Sequence, residues 1–363
     1  MIVIVLIFLV MWEGNMNSKR LNFEYDYPCV TPDEKILREF VEKKLISEYG
    51  GIFTNYKMEF GSRDVLSESE GLIMLYYLYI KDEAGYRMHY EFVMDKMMLK
   101  NNLVSWRVGE DYQYSSSASI DDLRIIRALL IGYSVFGNRE YFNLAKRIIA
   151  SVKKYECRNG FLVDYYDGYT KSGTITLSYI DLYTINLISN YELSFKSIYE
   201  NSKWVLENGK IEGTPFFRNR YNLRTKQYSS EYKVDMLQNA IVIEHLAEDN
   251  IFYMDFIKFI KNEIEKKGAV YSEYYIKDLK PASRIESTAI YATLARVALY
   301  YRDIDLYNML INRMLKLQCK NRLSPIYGAF GNESNLYVHS FDNLNALLAL
   351  RMGGCYIVKE DNN

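Results

Sequence analysis

Apolar residues recur at helical spacing in one segment after another, and the links between those segments alternate in length. The first start signal is Thr31-Pro32-Asp33-Glu34: an N-cap threonine, proline at the first helical position and glutamate three residues after the cap. Ile36, Leu37, Phe40, Val41 and Leu45 continue it as a helical stripe, with the stem of Lys44 lying along the same row. The spacing predicts further helices over roughly 68–80, 84–100, 120–136, 139–155, 178–189, 192–207, 232–247, 250–266, 284–301, 303–317 and 339–352. Some links are tight, such as Gly137-Asn138. Others are long, polar and aromatic: Val104–Ser119, Gly160–Thr176, Gly209–Ser230 and Gly268–Ser283. Short links suit the two helices of a hairpin, and long ones gathered on one face can build a site. The pattern therefore predicts an all-α toroid of about six helical hairpins, with strand-like alternation confined to short pieces such as Gly160–Tyr165. No repeat of fixed period points to a regular solenoid, and no Pro/Ser-rich linker divides the chain, so residues 21–355 read as one domain.

Composition removes several classes. An apolar share of 49% is too high for a disordered chain, and a net charge of −1 offers no field to attract nucleic acid. The four cysteines are far apart with no CxxC pair, and the three histidines form no HExxH, so neither a disulfide framework nor a zinc site is expected; no metal or organic cofactor is implied. No P-loop, GxGxxG or nucleophile-elbow pattern is present. The 35 tyrosines exceed what a core needs, and an amphipathic ring in such surplus suggests a wet, aromatic-lined groove.

The opening run Ile2–Trp12 is apolar but too short to span a bilayer, which takes about 20 residues. Its length suits the hydrophobic part of a signal peptide, although no Lys or Arg precedes it; a buried strand or helix is the other reading. Residues 1–20 are read as a signal or short membrane anchor, which places the protein outside the cytoplasm, secreted or membrane-attached, and a monomer is expected.

Acidic residues cluster at three predicted helix starts. Ser67-Glu68-Ser69-Glu70-Gly71 opens a very apolar helix. Ser67 and Glu70 have the spacing of a capping box, while Gly71 and the aromatic run beside it suggest close approach of another group to the backbone. Ser119 and Asp122 repeat the cap spacing, but the adjacent pair Asp121-Asp122 exceeds what a cap requires. Asp235 lies among Val234, Met236 and Leu237, where a carboxylate is costly unless paired or bound, or else faces solvent with Gln238 and Asn239. Ser283-Arg284-Ile285-Glu286 repeats the Ser-x-x-Glu pattern and is read as a plain cap. Two carboxylates from distant parts of a helical ring can flank a glycosidic bond, one protonating the leaving oxygen and the other activating water.

These residues resemble glycoside hydrolase family 8. Ser69-Glu70-Gly71 is similar to the family's Ser-Glu-Gly; Ser117-Ala118-Ser119 through Asp122-Leu123, with Ala128-Leu129-Leu130, to its Ser-Ala-x-Asp-x-Asp-Leu segment and following helix; Ser178-Tyr179 to its Pro-Ser-Tyr; and Tyr232 to Asp235 to its Tyr-Asp-Ala segment. The resemblance implies an (α/α)6 barrel that cleaves a β-linked polysaccharide with inversion, such as a bacterial exopolysaccharide or β-1,4-glucan. It implies Glu70 as general acid, Asp235 as general base, and Asp121, Asp122 and Tyr179 holding the sugar and water. The sequence departs from the pattern at Ile120, where the family has Asp, at Leu177, where it has Pro, and at Gln238, where it has the Arg that fixes the base. Among the rings, Trp106 and Tyr114 lie just before the second motif, and Tyr179 and Tyr183 share a helix face, so these are expected to meet substrate, whereas Tyr76, Tyr77 and Tyr79 are expected in the core. The alternatives are a polysaccharide lyase, which would need a Tyr or His base, and a non-catalytic glycan-binding protein, which Ile120 and Gln238 favour.

Overall fold

The computed structural model describes residues 30–57 and 63–360; the proposed signal or anchor segment lies outside them. The described residues form twelve α-helices. In chain order these are α1 Pro32–Phe40, α2 Ser67–Tyr79, α3 Glu83–Phe92, α4 Ser119–Phe136, α5 Arg139–Ser151, α6 Leu182–Ser189, α7 Phe195–Asn208, α8 Met236–Glu248, α9 Met254–Lys267, α10 Thr288–Tyr300, α11 Ile304–Leu315 and α12 Ser340–Glu360. The even-numbered helices pack side by side in an inner ring, each against the next, and the ring closes where α12 meets α2. The odd-numbered helices form the outer ring. This is an (α/α)6 barrel.

The division into rings follows from side-chain pattern. From Leu72 to Tyr79 every residue of α2 is buried, so that helix is apolar on all sides and belongs inside. In α5 the buried residues Tyr141, Phe142, Leu144, Ala145, Ile148 and Ile149 form one stripe, and the other face is polar. Three outer helices, α1, α3 and α5, run on into single π-helical turns, Val41–Leu45, Val93–Met97 and Val152–Glu156.

Short bottom turns join each inner helix to the next outer one. Between α4 and α5, Gly137 takes φ 75° and Asn138 caps Glu140 N–H. That left-handed conformation suits glycine. Longer loops return from the outer helices to the inner N-termini and carry four small antiparallel sheets: β1 Val65–Leu66 with β2 Arg107–Val108; β3 Cys157–Arg158 with β4 Phe161–Leu162; β5 Thr174–Thr176 with β6 Arg220–Asn222 and β7 Gln227–Tyr228; and β8 Lys233–Asp235 with β9 Glu273–Tyr275. The β3/β4 pair falls at the strand-like piece expected at Gly160–Tyr165, of which Phe161–Leu162 is strand.

Some expected caps are replaced. Thr31 does cap α1 through Oγ1, accepting from Glu34 N–H. The predicted box at Ser67 and Glu70 is absent: Ser67 N–H donates to Trp106 O and Glu70 turns into the wall. Glu286 is not a cap either. It ion-pairs with Arg313 and accepts from Tyr291 Oη, and α10 starts two residues later than Glu286, at Thr288. The helices predicted from 178 and 232 begin at Leu182 and Met236, because Asp181 and Asp235 cap them, accepting from Thr184 and Gln238 N–H.

Candidate active site

The inner helices all start at the face that carries the long loops, so their first turns and positive dipole ends converge on one cleft. Residues i and i+2 of a helix point about 200° apart. Glu68 and Glu70 therefore face opposite ways. Glu70 is fully buried, with Oε1 accepting from Ile52 N–H at 2.7 Å and Oε2 2.8 Å from His89 Nδ1. Both of its oxygens are engaged within the wall, away from the cleft expected for it. Glu68 instead lines a cleft pocket of about 340 Å³ with Thr176, Ser178, Tyr179, Arg220 and His339. Burial, then the charge of Asp121, holds its carboxyl up at about 7 despite Arg124; Asp342 adds to the rise. Burial thus outweighs the helix dipole, which favours the charged form.

The pair on α4 divides the same way. Asp121 accepts from Ser67 Oγ at 2.9 Å and from Arg124 at 2.9 Å, directly beside Glu68. Gly71 makes room for this: a Cβ there would lie 2.8 Å from the Arg124 stem. Asp122 is fully buried and points away, accepting from Val104 N–H, with Glu156 as its acidic neighbour. Its expected contact with sugar is therefore replaced by a place in the wall. Burial, with the Glu156 charge, raises its carboxyl well above the usual range; Glu156, which accepts from Ser117 Oγ, stands at about 8 through burial.

Asp235 lines a second pocket of about 250 Å³, and Ser178 and Gln238 border both pockets, so Glu68 and Asp235 occupy two parts of one cleft. Burial, with Glu273 opposite, raises the Asp235 carboxyl against its backbone hydrogen bonds. Gln238 Oε1 and Asn219 Oδ1 beside this pocket are buried acceptors without a hydrogen-bond partner, which suits hydroxyl donors from a ligand.

The aromatic expectations divide too. Tyr179 lines the Glu68 pocket. Tyr183 does not share its place: Arg127 lies 4.8 Å from the Tyr183 ring centroid. Trp106 and Tyr114 form a rim beside the start of α2, their centroids 5.4 Å apart with Arg107 over both rings, and Tyr114 is 43% exposed. Tyr76, Tyr77 and Tyr79 are core, as expected.

Sequence reasoning missed Glu68, Arg220 and His339. Glu68 had a signal, since Ser67-Glu68 repeats the Ser-Glu of Ser69-Glu70 two residues earlier. Burial lowers the His339 imidazole below its ordinary value, leaving it neutral near pH 7 and able to donate or accept. Below the cleft, Asp181, His245 and Glu248 bring ligand atoms within 4.8 Å of one another. Arg127 already serves as their cation, bonding Glu248 twice at 2.8 and 2.6 Å, so a metal would have to displace it.

No family model matches the chain. A solved structure of a protein described as a novel alpha-amylase from Clostridium perfringens superposes with TM-score 0.85 at 40% identity, covering 88% of this chain and 97% of that one. YdaJ of Bacillus subtilis, whose name describes it as a candidate lipoprotein, is 26% identical over 339 residues, 93% of this chain and 91% of the relative. Endoglucanase Cel10 of Klebsiella pneumoniae, a family 8 glycosyl hydrolase, shares the fold at TM-score 0.63 and 11% identity, covering 91% of this chain and all of that one. The chain belongs to the same family as the Clostridium perfringens protein, and it shares its fold with the family 8 glycoside hydrolases.

Proposed function

We propose that the protein is an endo-acting, inverting glycoside hydrolase of a polysaccharide outside the cytoplasm. The observation that carries this is Glu68: an acid held near 7, open to a cleft whose continuation is lined by Asp235. At neutral pH a large share of Glu68 carries the proton it must give to the leaving glycosidic oxygen. Asp235, ionised, takes a proton from the water that attacks the anomeric carbon from the opposite side of the ring. The C–O bond to the leaving sugar breaks as the bond to water forms, and the anomeric configuration inverts. Burial, and after it the charge of Asp121, keeps Glu68 protonated, and Asp121 is itself held by Ser67 and Arg124. Tyr179 and His339 offer hydroxyl and imidazole groups to the sugar beside Glu68. These assignments replace Glu70 with the cleft-lining Glu68, and Asp122 with Asp121, which stands beside Glu68.

The two-carboxylate arrangement works on either anomer, because the base only has to stand opposite the leaving group. Sequence similarity favours an α-linked glucan, through the 40% identical relative described as an alpha-amylase. A β-linked glucan is the second reading, supported by the motif resemblance and by the endoglucanase of like fold. A location outside the cytoplasm is supported by the apolar run Ile2–Trp12 and by the relative named as a lipoprotein; no helix among the described residues is long and apolar enough to cross a membrane.

The test is a reducing-end assay on amylose, mixed-linkage β-glucan, xylan and exopolysaccharide preparations, with the product anomer followed by NMR. Release of oligosaccharides of inverted configuration is expected. Retained configuration, or products with the ultraviolet absorbance of an unsaturated sugar, would overturn the reading.

A further inference from the structure

On the cleft face, outside the pocket of Glu68, lies a groove of about 810 Å³ between the ends of α1 and α3 and the loop after β2. This is within the size range of ligand sites. Two of its rings are open to solvent, Tyr49 at 61% and Tyr112 at 46% exposure. A line of rings connects the groove to the catalytic cleft. Trp106, whose carbonyl accepts Ser67 N–H beside Glu68, stands 5.4 Å from Tyr114, and Tyr114 stands 5.8 Å from Tyr112. Tyr112 then forms part of the groove wall, and its hydroxyl is fixed to Asp64. Aromatic faces beside polar groups are what a pyranose ring binds, apolar C–H face on the ring and hydroxyls to the polar groups.

We propose that this groove is a distal binding site for the same glycan chain, reached over Trp106, Tyr114 and Tyr112, and that it takes uncharged or amine-bearing sugars. The proposal rests on the glycan-hydrolase reading. The charge preference follows from the lining: among the described residues, Glu48, Asp95, Glu110 and Asp111 share it with Arg63 and Lys96, four carboxylates against two cations. A chain of uronic acids would meet net repulsion there. The groove adds affinity for long chains without touching the bond that is cut.

The experiment is affinity electrophoresis of the full chain and of Tyr49→Ala through gels containing amylose, mixed-linkage β-glucan or polygalacturonate. It is paired with hydrolysis of each neutral polymer and of maltohexaose and cellohexaose. Tyr49 is mostly exposed, so its removal leaves the core intact. Retardation of the wild type by a neutral polymer is expected, weakened about tenfold in Tyr49→Ala. On hydrolysis, KM for the polymer rises while kcat/KM for the hexasaccharide stays unchanged. Equal retardation of both proteins, no retardation of either, or stronger retardation by polygalacturonate would overturn the proposal. Retardation that depends on Tyr49 without any hydrolysis would sink the hydrolase reading and leave the groove standing.

Discussion

The first turns of α2 and α4 are built alike. Each carries two carboxylates close together: on α2, Glu68 at the cleft and Glu70 locked into the wall; on α4, Asp121 beside Glu68 and Asp122 locked into the wall. They differ in how the buried member is neutralised. Glu70 has donors, a peptide N–H and the His89 imidazole. Asp122 has one peptide N–H and then another acid, Glu156, and Asp122 Oδ2 and Glu156 Oε2 have no other hydrogen-bond partner. Burying two carboxyls against each other is tolerable only if a proton stays between them. So the α2 start is held by donors and the α4 start by a proton, and the two should answer differently to mutation.

Substitutions on the cleft side should act on catalysis. Glu68→Gln is expected to lower kcat about 10³-fold with an unchanged melting temperature, the size of effect a positioned general acid supplies. An active Glu68→Gln enzyme would remove the basis of the mechanism. Asp235→Asn should cost about 10²-fold or more in kcat, read in the same assay. The wild-type rate should also fall as pH rises through about 7, where Glu68 loses the proton it donates; a profile still flat at pH 9 would contradict that role.

On the wall side the effect should fall on stability. Glu70→Gln keeps the shape but weakens the bonds to Ile52 and His89, for an expected loss of about 1–3 kcal/mol in denaturant unfolding. The smallest effect, and the one that separates the two helix starts, is at Glu156. Its carboxyl is raised from 4.5 to about 8 in the folded protein, so folding holds that proton more tightly than the unfolded chain does. Its contribution to stability is complete below 4.5 and is lost as pH rises through about 8. Glu156→Gln, which cannot ionise, should flatten the decline of melting temperature across that window. Parallel slopes in Glu156→Gln and wild type would break the comparison.

The ring of hairpins was legible in the sequence because it rests on local signals: helical spacing, the Thr31-Pro32 start and the Gly137-Asn138 turn. Asp235 was legible as a site candidate and is placed by a local hydrogen bond to Gln238 N–H. The choice between Glu68 and Glu70, or between Asp121 and Asp122, was not. It depends on which side of each helix faces the ring wall, and Ile52, His89, Val104 and Glu156 settle that from other parts of the chain. Local spacing places both carboxylates of a pair on one turn and carries no information about partners that folding brings from elsewhere.

The opposed directions of the two rings have one more consequence. Inner helices begin at the cleft, so outer helices begin at the other end, and α1 is an outer helix. Its first turn is anchored there: Glu34 meets Tyr76, near the end of α2, and Arg351, deep in α12. One buried carboxylate therefore touches both of the helices at which the inner ring closes, and the first outer helix acts as the clasp of the barrel.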